Sequence, residues 1–380
     1  MFALTDEQQL IQKTAAEFVA KELLPSINER YVYDAPYDRK PFEEAAKLGL
    51  VGIPYPQEYG GAGADVVSYA IAMEEIGKVD GGFAISVSVH TSLCSWPIYH
   101  YGTEEQKKKF LTPLASGKAM GSFGLTEPDA GTDVGGGKTV AEDKGDHYLL
   151  NGSKCFITNA GESDIYTVFG VTDKSVPAFK GMSAFILEKG MPGFTFGKTE
   201  RTLGINSARV RELIFNNVQV PKENLLGKVG DGFKIAMASL DGGRIGVAAQ
   251  AVGIAAGALN HAITYTKTRQ QFGKPISSNQ ALQFMMAEMA TKIDAARLLT
   301  HRAAYAKDTQ KSWSKEAAMA KMFASDTAMS VTTDAVQLFG GYGYTRDMPI
   351  ERYFRDAKIT QIYEGTNQVQ RMVIAGSILR

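Results

Sequence analysis

The chain has 380 residues, more than one hydrophobic core usually serves, so two or three domains are expected. Its 41 Lys and Arg are matched by 41 Asp and Glu, a formal net charge of zero that argues against a nucleic-acid-binding face. Cys94 and Cys155 make no disulfide framework, and five histidines without ligand spacing give no sign of a protein-bound metal.

The N-terminus, Met1 to Gln8, is acidic and carries a capping-box spacing from Thr5 to Gln8. It lacks the features of a signal or transit peptide, and no apolar run approaches membrane-spanning length, so a bacterial-type cytoplasmic protein without a membrane span is expected. Leu10, Phe18, Val19, Leu23 and Leu24 recur at helical spacing. Further helical segments run from Phe42 to Leu48, Val67 to Ile76 and Glu104 to Leu114, broken by glycine- and proline-rich connections. Residues 1–120 read as an all-α domain.

Near Gly121 the period shortens. Tyr148 to Leu150, then Asn151-Gly152, then Ser153 to Thr158 predicts a hairpin with a type I′ turn. Strand-like runs follow at Ile165 to Val171, Ser183 to Leu187 and Glu212 to Val220, so residues 121–228 read as a small β-barrel or sandwich. Helical periodicity returns from 229 to 380. One helix is expected over 233–268, a second from Asn279 to Ala306 after a Ser277-Ser278-Asn279 cap, and a third from Ser314 to Leu338. A fourth opens at Gly365 or Thr366, completing a four-helix bundle.

Polar and glycine residues gather at a few places. Thr360 to Gln368 sets Glu364 between Ile359, Ile362 and Tyr363 on one side and Gly365 on the other. Desolvation by the apolar side would raise the carboxyl pKa, and Gly365 lets another molecule approach the backbone. A general base acting on carbon needs that arrangement, although a buried glutamate ending a loop has the same sequence. The loop Gly124 to Asp133 offers backbone N–H groups and the hydroxyls of Thr126 and Thr132 to an anion or a ring edge. Phe156 and Thr158, two apart, are expected on one strand face, suited to a flat ring with polar edges. Gly242-Gly243 inside a helix costs on the order of 1 kcal/mol per glycine relative to alanine, which implies a close approach there. Asp241 and Arg244 share a helix face beside it, as ligand contacts or as a surface ion pair. Arg269 to Pro275, and Gln337 to Tyr344, complete the set of candidate anion-binding loops.

In this order the motifs resemble the acyl-CoA dehydrogenase flavoenzyme family over essentially the whole chain. Thr126-Glu127-Pro128 through Gly131-Thr132-Asp133 is similar to its first signature. Gln337 through Gly343, with Arg352 and Asp356, is similar to its second, and Tyr363-Glu364-Gly365-Thr366 to its catalytic segment. The likeness is greatest to bacterial short-chain (butyryl-CoA-using) members. It implies an α+β multidomain protein with an N-terminal all-α domain, a middle β-barrel and a C-terminal four-helix bundle, usually a homotetramer built as a dimer of dimers, with FAD between the last two domains.

The resemblance gives Phe123, Leu125, Thr126, Gly131 and Thr132, with Phe156, Ile157 and Thr158, to the flavin ring; many members carry Trp at the position of Phe156. It gives Arg269, Gln271 and Phe272, with Gln280, Gln337, Leu338, Gly340 and Gly341, to the FAD of a neighbouring subunit. Thr366, Asn367 and Gln368 would make the last FAD contacts. Thr132, Leu240, Asp241 and Arg244, with Tyr363 and Gly365, would contact the acyl-CoA, and Glu364 would be the catalytic base. Some relatives carry their base at the position of Gly243, and glutaryl-CoA members carry an arginine near that of Ala84; neither stands here, which favours a neutral short acyl chain, straight or branched. The implied activity is α,β-dehydrogenation to a trans-2-enoyl-CoA in fatty-acid β-oxidation, with electrons passed to an electron-transferring flavoprotein. An enoyl-reducing or bifurcating member, an oxygen-reacting one, and a helical scaffold that has lost the chemistry stand as alternatives.

Overall fold

The computed structural model describes residues 3–32 and 35–379; Met1 and Phe2, read above for targeting signals, lie outside them. The capping box forms as expected, with Gln8 N donating to Thr5 Oγ1 and Thr5 N to Gln8 Oε1 at the start of helix Asp6–Phe18. Helices Lys40–Lys47 and Val66–Gly77 stand where apolar periodicity predicts them. The helical stretch over 81–101 is not foreseen. Its residues from 81 to 98 are buried on every side, so no polar stripe marks it as amphipathic.

The middle of the chain is one eight-stranded sheet. Its strands are β1 (Gly121–Gly124), β2 (Val140–Asp143), β3 (His147–Thr158), β4 (Ile165–Val171), β5 (Met182–Glu188), β6 (Phe194–Thr199), β7 (Val210–Pro221) and β8 (Leu225–Leu226). Neighbours run β6-β7-β3-β2-β4-β5-β8, and β1 lies parallel to β4. The expected turn at Asn151-Gly152 is overturned: β3 passes straight through it. Pairing with β7 slips there between Leu150 and Gly152, which makes a bulge. Gly152, at φ +139, crosses Thr139 so closely that a Cβ would lie 2.8 Å from Thr139 Cα. The Asn151 side chain is engaged by Asn217, whose N–H donates to Asn151 Oδ1 at 2.8 Å. The chain reverses instead at residues 144–146, where Lys144 N donates to His147 O at 2.9 Å.

The C-terminal helices are Gly232–Thr268, Gln280–Thr309, Ser314–Phe339 and Asn367–Ile378, with the short Ile350–Thr360 in addition. Asn279 stands at an N-cap position but makes no side-chain cap bond, whereas Thr366 accepts from Val369 N and caps the last helix. Gly232–Thr268 corrects the membrane reading: by length and hydropathy it is long and apolar enough to cross a bilayer. Of its most apolar window, 89 % is buried inside the protein. It forms the centre of a core in which Ile71, Met73 and Ala84 of the N-terminal part pack with Ile245, Ala249 and Ala328 of the C-terminal part. A second core, with Leu93, Phe123, Phe169, Ile235 and Val247, ties these helices to the sheet. The candidate site lies along that junction.

Candidate active site

Glu364 occupies the loop between helices Ile350–Thr360 and Asn367–Ile378, in the left-handed region at φ +53, followed by Gly365 at φ +90. A non-glycine residue in that region stores on the order of 1 kcal/mol of strain. Three side chains hold the loop in it. Gln370 Nε2 donates to Glu364 O at 3.3 Å and to Gly365 O at 2.8 Å, Lys321 Nζ donates to Gly365 O at 2.8 Å, and Arg244 Nε donates to Glu364 O at 3.4 Å. The Glu364 N–H makes no hydrogen bond within the described residues.

Glu364 as a whole is partly buried, but both carboxylate oxygens are closed off from solvent and without a hydrogen-bond partner. Burial pushes its pKa up to about 8, against the charges of Arg244 and Lys321, which pull it down. The shielding does not come from all the residues expected to supply it, since Ile362 is 48 % exposed. The carboxylate lies instead against helix Gly232–Thr268. A Cβ on Gly243 would overlap Glu364 Oε2 and would come within 2.8 Å of Leu93 Cδ2. Gly242 is close-packed as well, with Lys307 Nζ 2.8 Å from where its Cβ would be.

Two cavities meet at this carboxylate. One, of about 190 Å³, has an apolar wall from Ile85, Val89, Leu93 and Met237, closed by Phe123 and Leu125 of the sheet edge. Ile157, Leu240 and Arg244 also line it. The other, of about 410 Å³, reaches from Thr202–Ile205 to Thr366. Their common boundary holds Thr126, Gly131, Thr132, Phe156 and Thr158 from the sheet side, and Tyr363 and Gly365 from the Glu364 loop. Phe156 is 68 % exposed at φ +58, beside a second β3–β7 slip between Lys154 and Ile157. The bulge, rather than strand alternation, aims its ring into the cavities. The hydroxyls of Thr126, Thr132 and Thr158 make no hydrogen bond within the described residues. A planar group with polar edges, such as the flavin that the resemblance implies, fits unpartnered hydroxyls beside an uncovered aromatic face and the open space at Gly131, where a Cβ would meet nothing within 4 Å.

Other candidates fall elsewhere. The Asn367 side chain is 4 % exposed and engaged inward, accepting from Lys321 Nζ at 2.9 Å and donating to Asp326 Oδ1 at 2.7 Å, so it ties two helices together and lines neither cavity. Gln368 is exposed and lines neither cavity. Asp241 is not half of a surface ion pair: it bonds the buried Arg244 and accepts from Ser314 Oγ at 2.9 Å, and it lines neither cavity. Ala84 is in the core, and its neighbour Ile85 faces the apolar compartment. Arg269, Gln271, Gln337, Leu338, Gly340 and Gly341 line a separate surface cleft of about 560 Å³, which shares no residue with the other two. Phe272, fully exposed at φ +52, and the exposed Gln280 line none of the three.

Sequence reasoning missed Ile85, Val89 and Leu93, because the helix carrying them has no amphipathic signal. It missed Gln250, which accepts from Tyr363 OH, and Gln370. It also missed Lys321, although a lysine set among the alanines Ala317, Ala318, Ala320 and Ala324 is a readable signal.

The chain matches the family models of the acyl-CoA dehydrogenase N-terminal domain over residues 5–118, middle domain over 122–218 and C-terminal domain over 230–379. It is 52 % identical to a short-chain-specific acyl-CoA dehydrogenase of Clostridium acetobutylicum, over the full length of both chains. The solved structure of butyryl-CoA dehydrogenase from Megasphaera elsdenii superposes with a TM-score of 0.98 at 53 % identity, covering all of both chains. A third likeness, TM-score 0.97 and 59 % identity over all of both chains, is to a structure described with the electron transferring flavoprotein of Acidaminococcus fermentans and a mechanism of flavin-based electron bifurcation.

Proposed function

The chain belongs to the acyl-CoA dehydrogenase family, and on that premise we propose that it removes the α- and β-hydrogens of a short acyl-CoA thioester, with Glu364 as base. The observation that carries this reading is a sealed, unpartnered carboxylate at the meeting point of an apolar cavity and a cavity lined with hydroxyls. FAD is the cofactor, and when bound it supplies the two-electron acceptor for the β-hydrogen.

This chain's residues do the rest. Ile85, Val89 and Leu93 give the acyl chain an apolar place to lie, and the cavity of about 190 Å³ suits a short one. The free Glu364 N–H is a donor for the thioester carbonyl, which stabilises charge there as the α-proton leaves. The Glu364 carboxylate takes that proton, the α and β C–H bonds break, and a C=C bond forms between the two carbons. With no hydrogen bonds to relinquish, and a pKa raised to about 8, the carboxylate is a stronger base than an exposed glutamate. Thr126, Thr132 and Thr158 orient the flavin's polar edge. Electrons leave to an electron-transferring flavoprotein. Arg269, Phe272 and the Gln337–Gly341 turn, remote from Glu364 within one chain, complete the FAD site of a second subunit in a tetramer.

Anaerobic titration of FAD-loaded protein with butyryl-CoA tests the reading through the flavin's visible absorbance. Bleaching in the wild type, with Glu364→Gln binding the thioester but bleaching 10²–10⁴-fold more slowly as expected for loss of a general base, supports it. Equal bleaching in the variant would move the base elsewhere. The likeness to a structure described in an electron-bifurcation context favours a second reading, physiological reduction of an enoyl-CoA. Reoxidation of reduced protein by crotonyl-CoA faster than its reduction by butyryl-CoA would select it.

A further inference from the structure

Lys321 lies in helix Ser314–Phe339, 0 % exposed, among Ala317, Ala318 and Ala324. Its ammonium donates to Gly365 O at 2.8 Å and to Asn367 Oδ1 at 2.9 Å, a carbonyl and an amide rather than a carboxylate. Full burial of an ammonium without direct ion pairing is costly, and a neutral donor would satisfy the same two oxygens. What a neutral donor would not supply is positive charge behind the loop that carries Glu364. We propose that Lys321 is a positioning residue for the base: it fixes the Glu364–Gly365 turn through the Gly365 carbonyl, and it is the counter-charge that lets the sealed carboxylate ionise.

The geometry divides the work. Gln370 grips both carbonyls of the turn and is uncharged, so the turn keeps one anchor without Lys321. The groups facing Glu364 are Arg244 from helix Gly232–Thr268, Lys321 from helix Ser314–Phe339, and the phenols of Tyr69 and Tyr363, both raised by burial. Arg244 is already paired with Asp241, which offsets part of its field. Lys321 has its other charged neighbours in Arg244 and Asp326, and burial lowers its own pKa to about 7 while Glu364 pulls it upward. The amine and the carboxylate attract, and each offsets part of the neutralisation that burial favours in the other, so losing the amine's charge favours the protonated, inactive carboxylic acid.

The inference rests on Glu364 being the base, and its test separates the two ideas. The carboxyl infrared band of Glu364, identified by its loss in Glu364→Gln, is titrated in wild type, Lys321→Gln, Lys321→Met and Lys321→Arg, alongside the pH profile of flavin bleaching. Lys321→Gln keeps a donor for Gly365 and removes only charge, so it serves if Lys321→Met does not fold. The expected result is a midpoint about one pH unit higher in Gln and Met, bleaching at pH 7 about tenfold slower, and wild-type behaviour restored by Arg. An unmoved midpoint in folded Lys321→Gln would overturn the inference and leave the Glu364 reading intact. Undiminished bleaching in Glu364→Gln would end both.

Discussion

At the scale of single residues, the site is built from one carboxylate and the absence of a side chain opposite it. Gly243 leaves the volume that Glu364 Oε2 occupies. Gly243→Ala is therefore expected to displace the carboxylate and slow bleaching by at least tenfold, while circular dichroism and FAD content stay near wild type; full activity would show that the loop relaxes without consequence. The raised pKa makes a second prediction. A base with a pKa near 8 is mostly protonated at neutral pH, so kcat/KM, which reports the free enzyme, should climb as pH rises and level off above about 8. A profile flat from pH 6 to 9 would contradict the desolvated state of Glu364. Neither property is written in the tetrapeptide around Glu364. Its sequence neighbour Ile362 faces water, and the shielding is contributed by a helix more than a hundred positions away.

At the scale of elements, the loop after β1 is held by a buried ion pair that lines neither cavity at Glu364. Lys154 Nζ reaches Glu127 Oε1 at 2.6 Å, and the same carboxylate accepts from Lys138 N at 2.5 Å and Thr139 N at 3.1 Å. This clamp pins residues 126–132 against the start of β2 and so sets where the Thr126 and Thr132 hydroxyls stand. Glu127→Ala leaves Lys154, 1 % exposed, without its partner, a loss of about 3–5 kcal/mol. FAD retention should fall with it, and Glu127→Ala with Lys154→Met together should recover stability but not FAD affinity, as read by thermal unfolding and absorbance. The Thr-Glu-Pro motif was legible as a ligand loop. The role of its glutamate was not, because its partner Lys154 comes from β3, 27 positions along the chain.

At the scale of the whole molecule, one buried polar network joins all three parts of the chain. Arg30 pairs with Asp80 at 2.7 Å, Tyr31 OH donates to Asp356 Oδ2 at 2.5 Å, and Ile205 N donates to Asp356 Oδ1 at 2.6 Å. Burial raises Asp356 to about 6, against hydrogen bonds from Tyr31 and Ile205 and the charge of Arg352. A folded-state pKa above the ordinary 3.8 means that its contribution to stability is fully present below about 3.8 and is lost as pH rises through about 6. The loss is roughly 3 kcal/mol at most. Urea unfolding of wild type and Asp356→Asn at pH 4 and pH 7 should show the variant gaining on the wild type at the higher pH; a pH-independent difference would remove Asp356 from the account. The same scale governs assembly. If a second subunit completes the FAD site, Arg269→Ala should weaken FAD retention although residue 269 lines no cavity with Glu364, and sedimentation should give a tetramer. A monomer retaining full FAD would refute that arrangement.

The sequence by itself determined the order of helical and β regions, the ends of most amphipathic helices and the peptide that carries Glu364, because periodicity, caps and glycine spacing are local properties of the chain. It also determined the family, through motifs read together rather than singly. Tertiary structure decided what those motifs face. It carried β3 straight through Asn151-Gly152 where a turn was expected, engaged the Asn367 side chain with Lys321, and made a buried helix the wall of the apolar cavity beside Glu364. These outcomes depend on volume, burial and charge contributed by residues far apart in sequence, which no local pattern encodes.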